Sequence, residues 1–430
     1  MYKELKTFIL LWLTQSLSAL GSAMTSFVLI IWVYKQQGSA LDSALLSICT
    51  YAPYVILSIF AGSLSDKWNK KITMLVCDSV AAVCTVFIVI LMHTGMLEIW
   101  HLYLINSING LMNTIQQPSS ELATTLLVPK KYYQKVSGMR SFTNSLNTIM
   151  TPIIATAIMA FVGINAVIII DLCTFALAFI SLAGFIKIPE SVIQNDKKET
   201  ILQAAKSGLG FMKKNRGILE LILFLAAINF IASIYQSALP AMLLSRNGGS
   251  DFALGAENAC AGIANILGSI FVTFSKAPKS RVRMICNTLL FSMGTENFLL
   301  AFGNNVPIWC LGGFLGWVVI PVMGANLDVL LRSNIPVHLQ GRVYSVRNSL
   351  QFFTIPIGYF LGGFLVDRVF EPLMRHVSGD SILVRIFGQG KGTGAAVLYF
   401  VIGILGVGVC LFFRQFKHMW KLDEINTVME

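Results

Sequence analysis

The sequence predicts an all-α polytopic membrane protein, with twelve transmembrane helices arranged as two pseudo-symmetric six-helix bundles. Three observations carry that expectation. Of the 430 residues 55% are hydrophobic and only 12% are charged, about half of the roughly 25% charged content of a soluble chain. Apolar runs long enough to cross a hydrocarbon core of about 30 Å recur along the whole length. Short patterns in the first half also return in the second at one nearly constant offset.

The runs fall at approximately 7–34, 41–64, 72–93, 99–126, 136–160, 164–187, 217–245, 252–274, 283–303, 306–332, 341–366 and 394–414. Hydrocarbon offers backbone N–H and C=O groups no water to bond, so segments of this length must satisfy them internally, as helices. The first run, "FILLWLTQSLSALGSAMTSFVLIIWVY", is too long for the apolar core of a signal peptide and no small-residue cleavage site follows it. It is expected to remain as the first helix. All eight cysteines (Cys49, Cys77, Cys84, Cys173, Cys260, Cys286, Cys310, Cys410) lie within runs, without metal or disulfide spacing. They read as small packing residues.

The net charge of +11 is topological. With the N-terminus inside and twelve crossings, 26 of the 32 lysines and arginines fall on inner segments. Lys35, Arg246, Arg368, Arg375, Arg385 and Lys391 are the exceptions. This is the positive-inside bias, which places both termini in the cytoplasm of a multi-pass plasma-membrane protein and removes the case for a nucleic-acid partner.

The longest inner connection, 188–215, is polar and lysine-bearing, with a short amphipathic helix expected around 199–212. It separates an N-terminal bundle (1–187) from a C-terminal bundle (216–430). If the halves are duplicates, patterns should recur at a fixed shift. "ELATTLLVPKKYYQKVSGMR" (Glu121 to Arg140) and "DVLLRSNIPVHLQGRVYSVR" (Asp328 to Arg347) align at a shift of 207, matching the acid, Pro129 with Pro336, Lys135-Val136 with Arg342-Val343, and the last arginine. "GSLSDKWNKK" from Gly62 faces "GSIFVTFSK" from Gly268 at a shift of 206.

The loop Gly62-x-Leu64-x-Asp66-Lys67-x-x-Lys70-Lys71, between the second and third runs, resembles the signature loop of the major facilitator superfamily. The resemblance spans the chain. More narrowly, "WLTQSLSALGS", "LLVP" before run five, Asp171, Asn229-Phe230, Leu239-Pro240 and "QGRV" before run eleven are similar to the macrolide-efflux type of permease. That resemblance implies a secondary active transporter that acts as a monomer without a cofactor. It would export a bulky amphipathic compound by alternating access, in exchange for protons. Two departures bear on the exchange: the arginine that drug–proton antiporters often carry in span four is matched here by Asn109. In span five, where that family has a glycine-rich motif, Gly138 and Pro152 remain but Asn147, Thr151, Ala155 and Thr156 stand for glycines. Proton exchange is therefore implied by the resemblance alone.

In this frame Asp66, at the inner end of span two, is expected to face the positive N-terminal end of span eleven, with Arg347 adding a charge pair. Lys67, Lys70 and Lys71 would lie at the anionic inner leaflet, or simply mark topology, and Gly62 would permit close helix contact. The second copy has Phe271 or Val272 in place of the acid, leaving Arg140 without an evident partner. Glu121 and Asp328 are alternative partners, with structural or gating roles.

Polar residues at helical spacing form stripes: Asn106, Asn109, Asn113 and Gln116 or Gln117 in span four; Asn229, Ser233 and Gln236 in span seven; Gln15, Ser18 and Ser22 in span one. Interhelical hydrogen bonds worth about 0.6 kcal/mol each would account for them. The resemblance offers the other reading, because spans one, four, seven and ten line the central cavity of superfamily members. Gln15, Asn109, Asn113, Gln117, Asn229 and Gln236 are the cavity candidates. Acids deep in a membrane are costly and often functional. Asp171, Glu257 and Glu296 are the ion-coupling candidates; helix packing is the alternative for Asp171, and a place near the outer interface for Glu257.

"GQGKGTG" (388–394) lacks the strand context and spacing of a phosphate loop, and the five histidines lack metal spacing. No clustered nucleophile and base suggests an enzyme. A carrier for a small nutrient and a non-transporting receptor-like protein remain the alternatives to efflux.

Overall fold

A computed structural model describes residues 2–129, 132–189 and 201–423. Among these residues there is no strand. Eight helical elements are long and apolar enough to cross a membrane: Leu5–Gln37, Ala40–Leu57, Lys70–His93, Ile164–Phe185, Arg216–Ser245, Val306–Asn334, Arg342–His376 and Thr393–Phe413. Four further long helices are α4 (Ile99–Leu127), α5 (Tyr133–Phe161), α9 (Asp251–Phe274) and α10 (Arg281–Phe302). Twelve crossings are consistent with this set. The polar stripe of α4, and the buried glutamates of α9 and α10, occur on helices outside the eight.

The remaining elements are α1 (Tyr2–Gln37), α2 (Ala40–Lys67), α3 (Lys70–His93), α6 (Ile164–Ile180) with a π-helical turn at Ser181–Phe185, α7 (Ile201–Lys214) and α8 (Arg216–Ser245). They continue as α11 (Val306–Val318), α12 (Ile320–Asn334), α13 (Val337–Phe352), α14 (Thr354–Leu365) with a π-helical turn at Val366–Phe370, α15 (Glu371–His376), α16 (Ile382–Phe387), α17 (Thr393–Phe413) and α18 (Lys417–Trp420). The amphipathic helix expected near 199–212 corresponds to α7. Two long elements are interrupted, at Val319 between α11 and α12 and at Phe353 between α13 and α14. A proline in the first turn after each break explains it, since its ring cannot continue the preceding hydrogen-bond ladder.

Several helix starts are written in the sequence. Asn69, Ser250, Ser280 and Asn305 each accept a backbone N–H from the first turn they open (Ile72, Ala253, Arg283 and Ile308, all at 3.1 Å), the standard use of short polar side chains at an N-cap. Asp423 adds to the start of α10, accepting Ser280 Oγ at 2.6 Å and Arg281 N at 2.9 Å.

The chain divides into two compact units, Met1–Lys35 with Leu45–Lys198, and Gln36–Ala44 with Glu199–Glu430. In the first, α3 packs on α4 and α6, and α5 on α6. Leu29, Val33, Ile88, Leu102 and Ile168 form one buried cluster. In the second, α8 packs on α14 and α17, α9 on α11, and α10 on α11, α12 and α17. Trp309, Tyr399 and Phe224 are fully buried there. Lipid tails are as apolar as leucine, so van der Waals fit and interhelical hydrogen bonds, not water exclusion, hold such helices together. Side chains such as Ile56, Val83, Phe185 and Phe274, all well exposed, are suited to face the tails.

Residues 36–44 join the second unit through one carboxylate. Asp367 accepts from Ser39 Oγ at 2.8 Å, Ala40 N at 3.0 Å and Leu41 N at 2.8 Å, capping the start of α2. Gly363 makes the approach possible, since a Cβ there would lie 2.6 Å from Leu41 Cα.

Candidate functional site

Within the first unit lies a cavity of about 530 Å³. Its walls come from α1, α3, α4, α5 and α6. Helix α1 contributes Gln15, Ser18, Ser22 and Ser26, one face at helical spacing; α4 contributes Asn113, Gln116, Gln117 and Ser120. Asp78 of α3, Arg140 of α5, and Asp171 and Phe175 of α6 complete the polar and aromatic lining. A smaller cavity of about 220 Å³ shares Gln15, Ser120 and Arg140 and adds Trp12, Thr143 and Asn147.

Asp78 is the centre of this lining. Gln15 Nε2 donates to its Oδ2 at 3.1 Å and Gln116 Nε2 to its Oδ1 at 2.6 Å, so amides from two other helices hold both oxygens. Hydrogen bonds to a charged acceptor are the strong ones. Asp171 is buried, and Ser22 Oγ donates to its Oδ1 at 2.9 Å. Gly21 lets α1 touch α6 here: a Cβ would lie 3.0 Å from Asp171 Cα. Asp78 is absent from the residues singled out above. Its signal was available, an acid inside run three, yet only the fold shows that Gln15 and Gln116 both reach it.

The cavity brings together Gln15, Asn113, Gln117, Asp171 and Arg140 from the expected set. Asn109, one turn before Asn113, keeps its Oδ1 buried without a hydrogen bond among the described residues. Asn229 and Gln236 lie on α8 in the second unit, where Asn229 Nδ2 donates to the Gln351 carbonyl at 3.2 Å, beside the break at Phe353. The side chains of Gly62, Asp66 and Lys67 lie outside the described residues. Lys70 Nζ donates to the Trp68 carbonyl at 2.8 Å. Lys71 Nζ donates to Ala183 O at 2.9 Å and Ile186 O at 2.8 Å, closing the C-terminal end of α6, where a cation is favoured. Arg347 Nε donates to Gln351 Oε1 at 3.1 Å, with Asp328 as an electrostatic neighbour. Glu121 and Asp328 are exposed.

The second unit holds a separate acid cluster. Glu257 and Glu296 are 1% and 5% exposed. Tyr235 Oη donates to Glu257 Oε1 at 2.9 Å, and Trp317 Nε1 to Glu296 Oε1 at 2.9 Å. Arg246 is far from a solvated topology marker. It is buried and donates to the carbonyls of Leu300, Ala301 and Phe387 and to Asn304 Oδ1, at 2.9 to 3.2 Å. Burial lowers its guanidinium to about 10. The "GQGKGTG" run is a cradle for an internal anion. Gly388, Gly390 and Gly392 have positive φ, and Gly392 N donates to Glu371 Oε1 at 2.8 Å at the start of α17.

Among the described residues no cluster of three or more His, Cys, Asp or Glu side chains is placed to hold a metal, and every cysteine is free. A stack of long apolar helices with a polar cavity inside one bundle defines a multi-pass membrane carrier. The family model of the Major Facilitator Superfamily matches residues 11–359, and the chain belongs to that superfamily. It is 22% identical over 373 residues to macrolide efflux protein A of Streptococcus pyogenes, covering 84% of this chain and 90% of that one. Identity is also 22% over 366 residues to the multidrug efflux pump Tap of Mycolicibacterium fortuitum, covering 81% and 86%. Among solved structures, a mutant of the nucleoside transporter NupG has a TM-score of 0.69 at 14% identity, covering 96% of this chain and 98% of that one. A bacterial homologue of ferroportin in its inward-facing state has a TM-score of 0.67 at 15% identity, covering 96% and 99%. At such identities these structures speak for the fold alone.

Proposed function

We propose that the chain is a secondary active exporter of bulky amphipathic organic compounds, macrolide-like and amine-bearing, working by alternating access in exchange for protons. The observation that carries the reading is the first-unit cavity. Its volume falls in the range of about 300–1,000 Å³ typical of sites for drug-sized ligands. Its amides and hydroxyls can turn to suit different polar edges, Phe175 offers a flat apolar face, with Trp12 in the adjoining smaller cavity, and Asp78 and Asp171 offer negative charge to an amine. Relatives named for macrolide and multidrug efflux support the substrate class. In this reading the protein sits in the plasma membrane with both termini cytoplasmic, and moves its substrate chemically unchanged.

The test is accumulation of labelled erythromycin and of a cationic dye in cells with and without the protein, before and after a protonophore. Lower accumulation that returns to control levels when the gradient collapses is the expected result. Equal accumulation of both probes with and without the protein would end the efflux reading. Lower accumulation that survives the protonophore would end the proton exchange.

A further inference from the structure

Glu257 and Glu296 are enclosed in the second unit, outside the first-unit cavity, and their surroundings are restrictive. Tyr235 Oη donates its one hydrogen to Glu257 Oε1 at 2.9 Å, and Glu296 also bears on that hydroxyl. Tyr399 Oη donates to the Tyr235 carbonyl at 2.8 Å, and the two rings meet edge to face, 5.2 Å between centroids, which packs the phenol on one side. On α11, glycines stand where the carboxylates lie: a Cβ on Gly313 would sit 2.6 Å from Glu257 Oε1, and one on Gly316 would collide with Glu296.

Among the described residues no cation balances the pair. The titratable groups facing it are Tyr235 from α8, Cys310 from α11, itself beside Cys260 of α9, and Tyr399 from α17. Helices α9, α11 and α17 contain no lysine, arginine or histidine. On α10 the basic residue nearest in sequence to Glu296 is Arg283, about 20 Å away along the axis. On α8, Arg216 is farther still from Tyr235, and on α12 Arg332 occupies the last turn. Of α13, also packed on α8, Arg347 donates to Gln351 and Arg342 to Ser207, while His418 of α18 pairs with Glu220. Arg246 is committed to carbonyls and Asn304, and Arg385 of α16 is exposed. Helix α14, packed on α8, brings only Tyr359.

Two like charges cannot both persist in such a place. One phenol hydrogen satisfies one carboxylate; the phenol oxygen can meet the other only if that carboxyl brings its own proton. We propose that Glu257 and Glu296 hold one exchangeable proton between them through Tyr235, and that this proton is the ion exchanged for substrate. The exchange part rests on the exporter reading. On release the carboxyl O–H bond breaks, its electrons stay on the carboxylate, and water takes the proton. Because both carboxylates are then ionised, release belongs to a conformation that admits water to the pair, and the enclosed arrangement described above is the protonated one. The ionised Glu296 then binds Trp317 N–H more strongly. Trp317 stands two residues before the break at Val319, so the proton biases the position of an interrupted helix.

Infrared difference spectra of the full chain in liposomes, recorded on changing pH, test the site without any substrate. The expected result is a protonated-carboxyl band that titrates in the parent protein, disappears in Glu257→Gln and Glu296→Gln, and shifts its midpoint in Tyr235→Phe. A band unchanged in both glutamine variants overturns the site. If a glutamine variant does not fold, Tyr235→Phe decides, and an unshifted midpoint overturns it. Erythromycin-driven proton flux into liposomes carrying a pH dye tests the exchange. Loss of flux in both variants, with erythromycin still bound, supports it. Normal flux in both variants overturns this proposal and leaves the exporter reading standing. Erythromycin export without proton flux in the parent protein, or export driven by sodium instead, overturns the exchange itself.

Discussion

Asp78 shows how much a single side chain can organise. Two amides from different helices meet its two oxygens. Asp78→Asn keeps the shape but turns one acceptor into a donor facing an amide donor, and removes the charge. One charge-assisted hydrogen bond is worth about 1.5–3 kcal/mol. Equilibrium binding to the purified protein should therefore weaken for an amine-bearing dye by roughly tenfold or more, and much less for a neutral one. Equal weakening for both would show that Asp78 shapes the cavity without reading charge. Gly316 is a second case. Gly316→Ala drives a methyl group into Glu296, and overpacking of this kind costs about 1–3 kcal/mol. Its thermal unfolding midpoint should fall, whereas Gly324→Ala, inside α12 with open space around the added carbon, should leave it level or raise it.

At the scale of elements, two helix starts are held by distant acids. The first turn of α2 depends on Asp367, and losing an N-cap costs about 0.5–2 kcal/mol. Asp367→Ala should loosen residues 39–44. Labelling of a cysteine placed at the buried Ser43, on a cysteine-free background, should accelerate. An unchanged labelling rate would mean that the remaining contacts hold the turn. The start of α17 depends on the glycine cradle around Glu371. Gly392 has φ of +87°, and a Cβ there would lie 2.7 Å from Arg246 N. Gly392→Ala combines a left-handed strain of roughly 1–2 kcal/mol with that clash. It should lower the unfolding midpoint more than Gly388→Ala, whose φ is similar but whose space is open.

For the molecule as a whole, the two units have different chemical contents: amides, hydroxyls and two aspartates around an open cavity in one, two glutamates shut inside the other. The proposed exchange assigns substrate to the first and the proton to the second, so either site should affect the other only through conformation. Orientation is a separate expectation. Cysteines introduced within 201–214 should react only with permeant reagents in intact cells, and those within 377–392 with impermeant ones as well. Reaction of both sets with the impermeant reagent would refute the proposed orientation.

Composition and run length were enough to specify helices and a membrane, because a lipid solvent leaves few ways to satisfy a backbone; the superfamily rested on the resemblance of the loop from Gly62 to Lys71. The caps at Asn69, Ser250, Ser280 and Asn305 join donor and acceptor only three residues apart, a local signal that is not among the expectations drawn from the sequence above. The polar stripes of α1 and α4 were legible as stripes. What they face was not. Whether Gln15 reaches Asp78, whether Arg246 is solvated or buried, and what the "GQGKGTG" run holds depend on residues tens to hundreds of positions away. Only the packing of the helices brings those partners within hydrogen-bond distance, and pairwise distance is the one property that spacing along a chain does not encode.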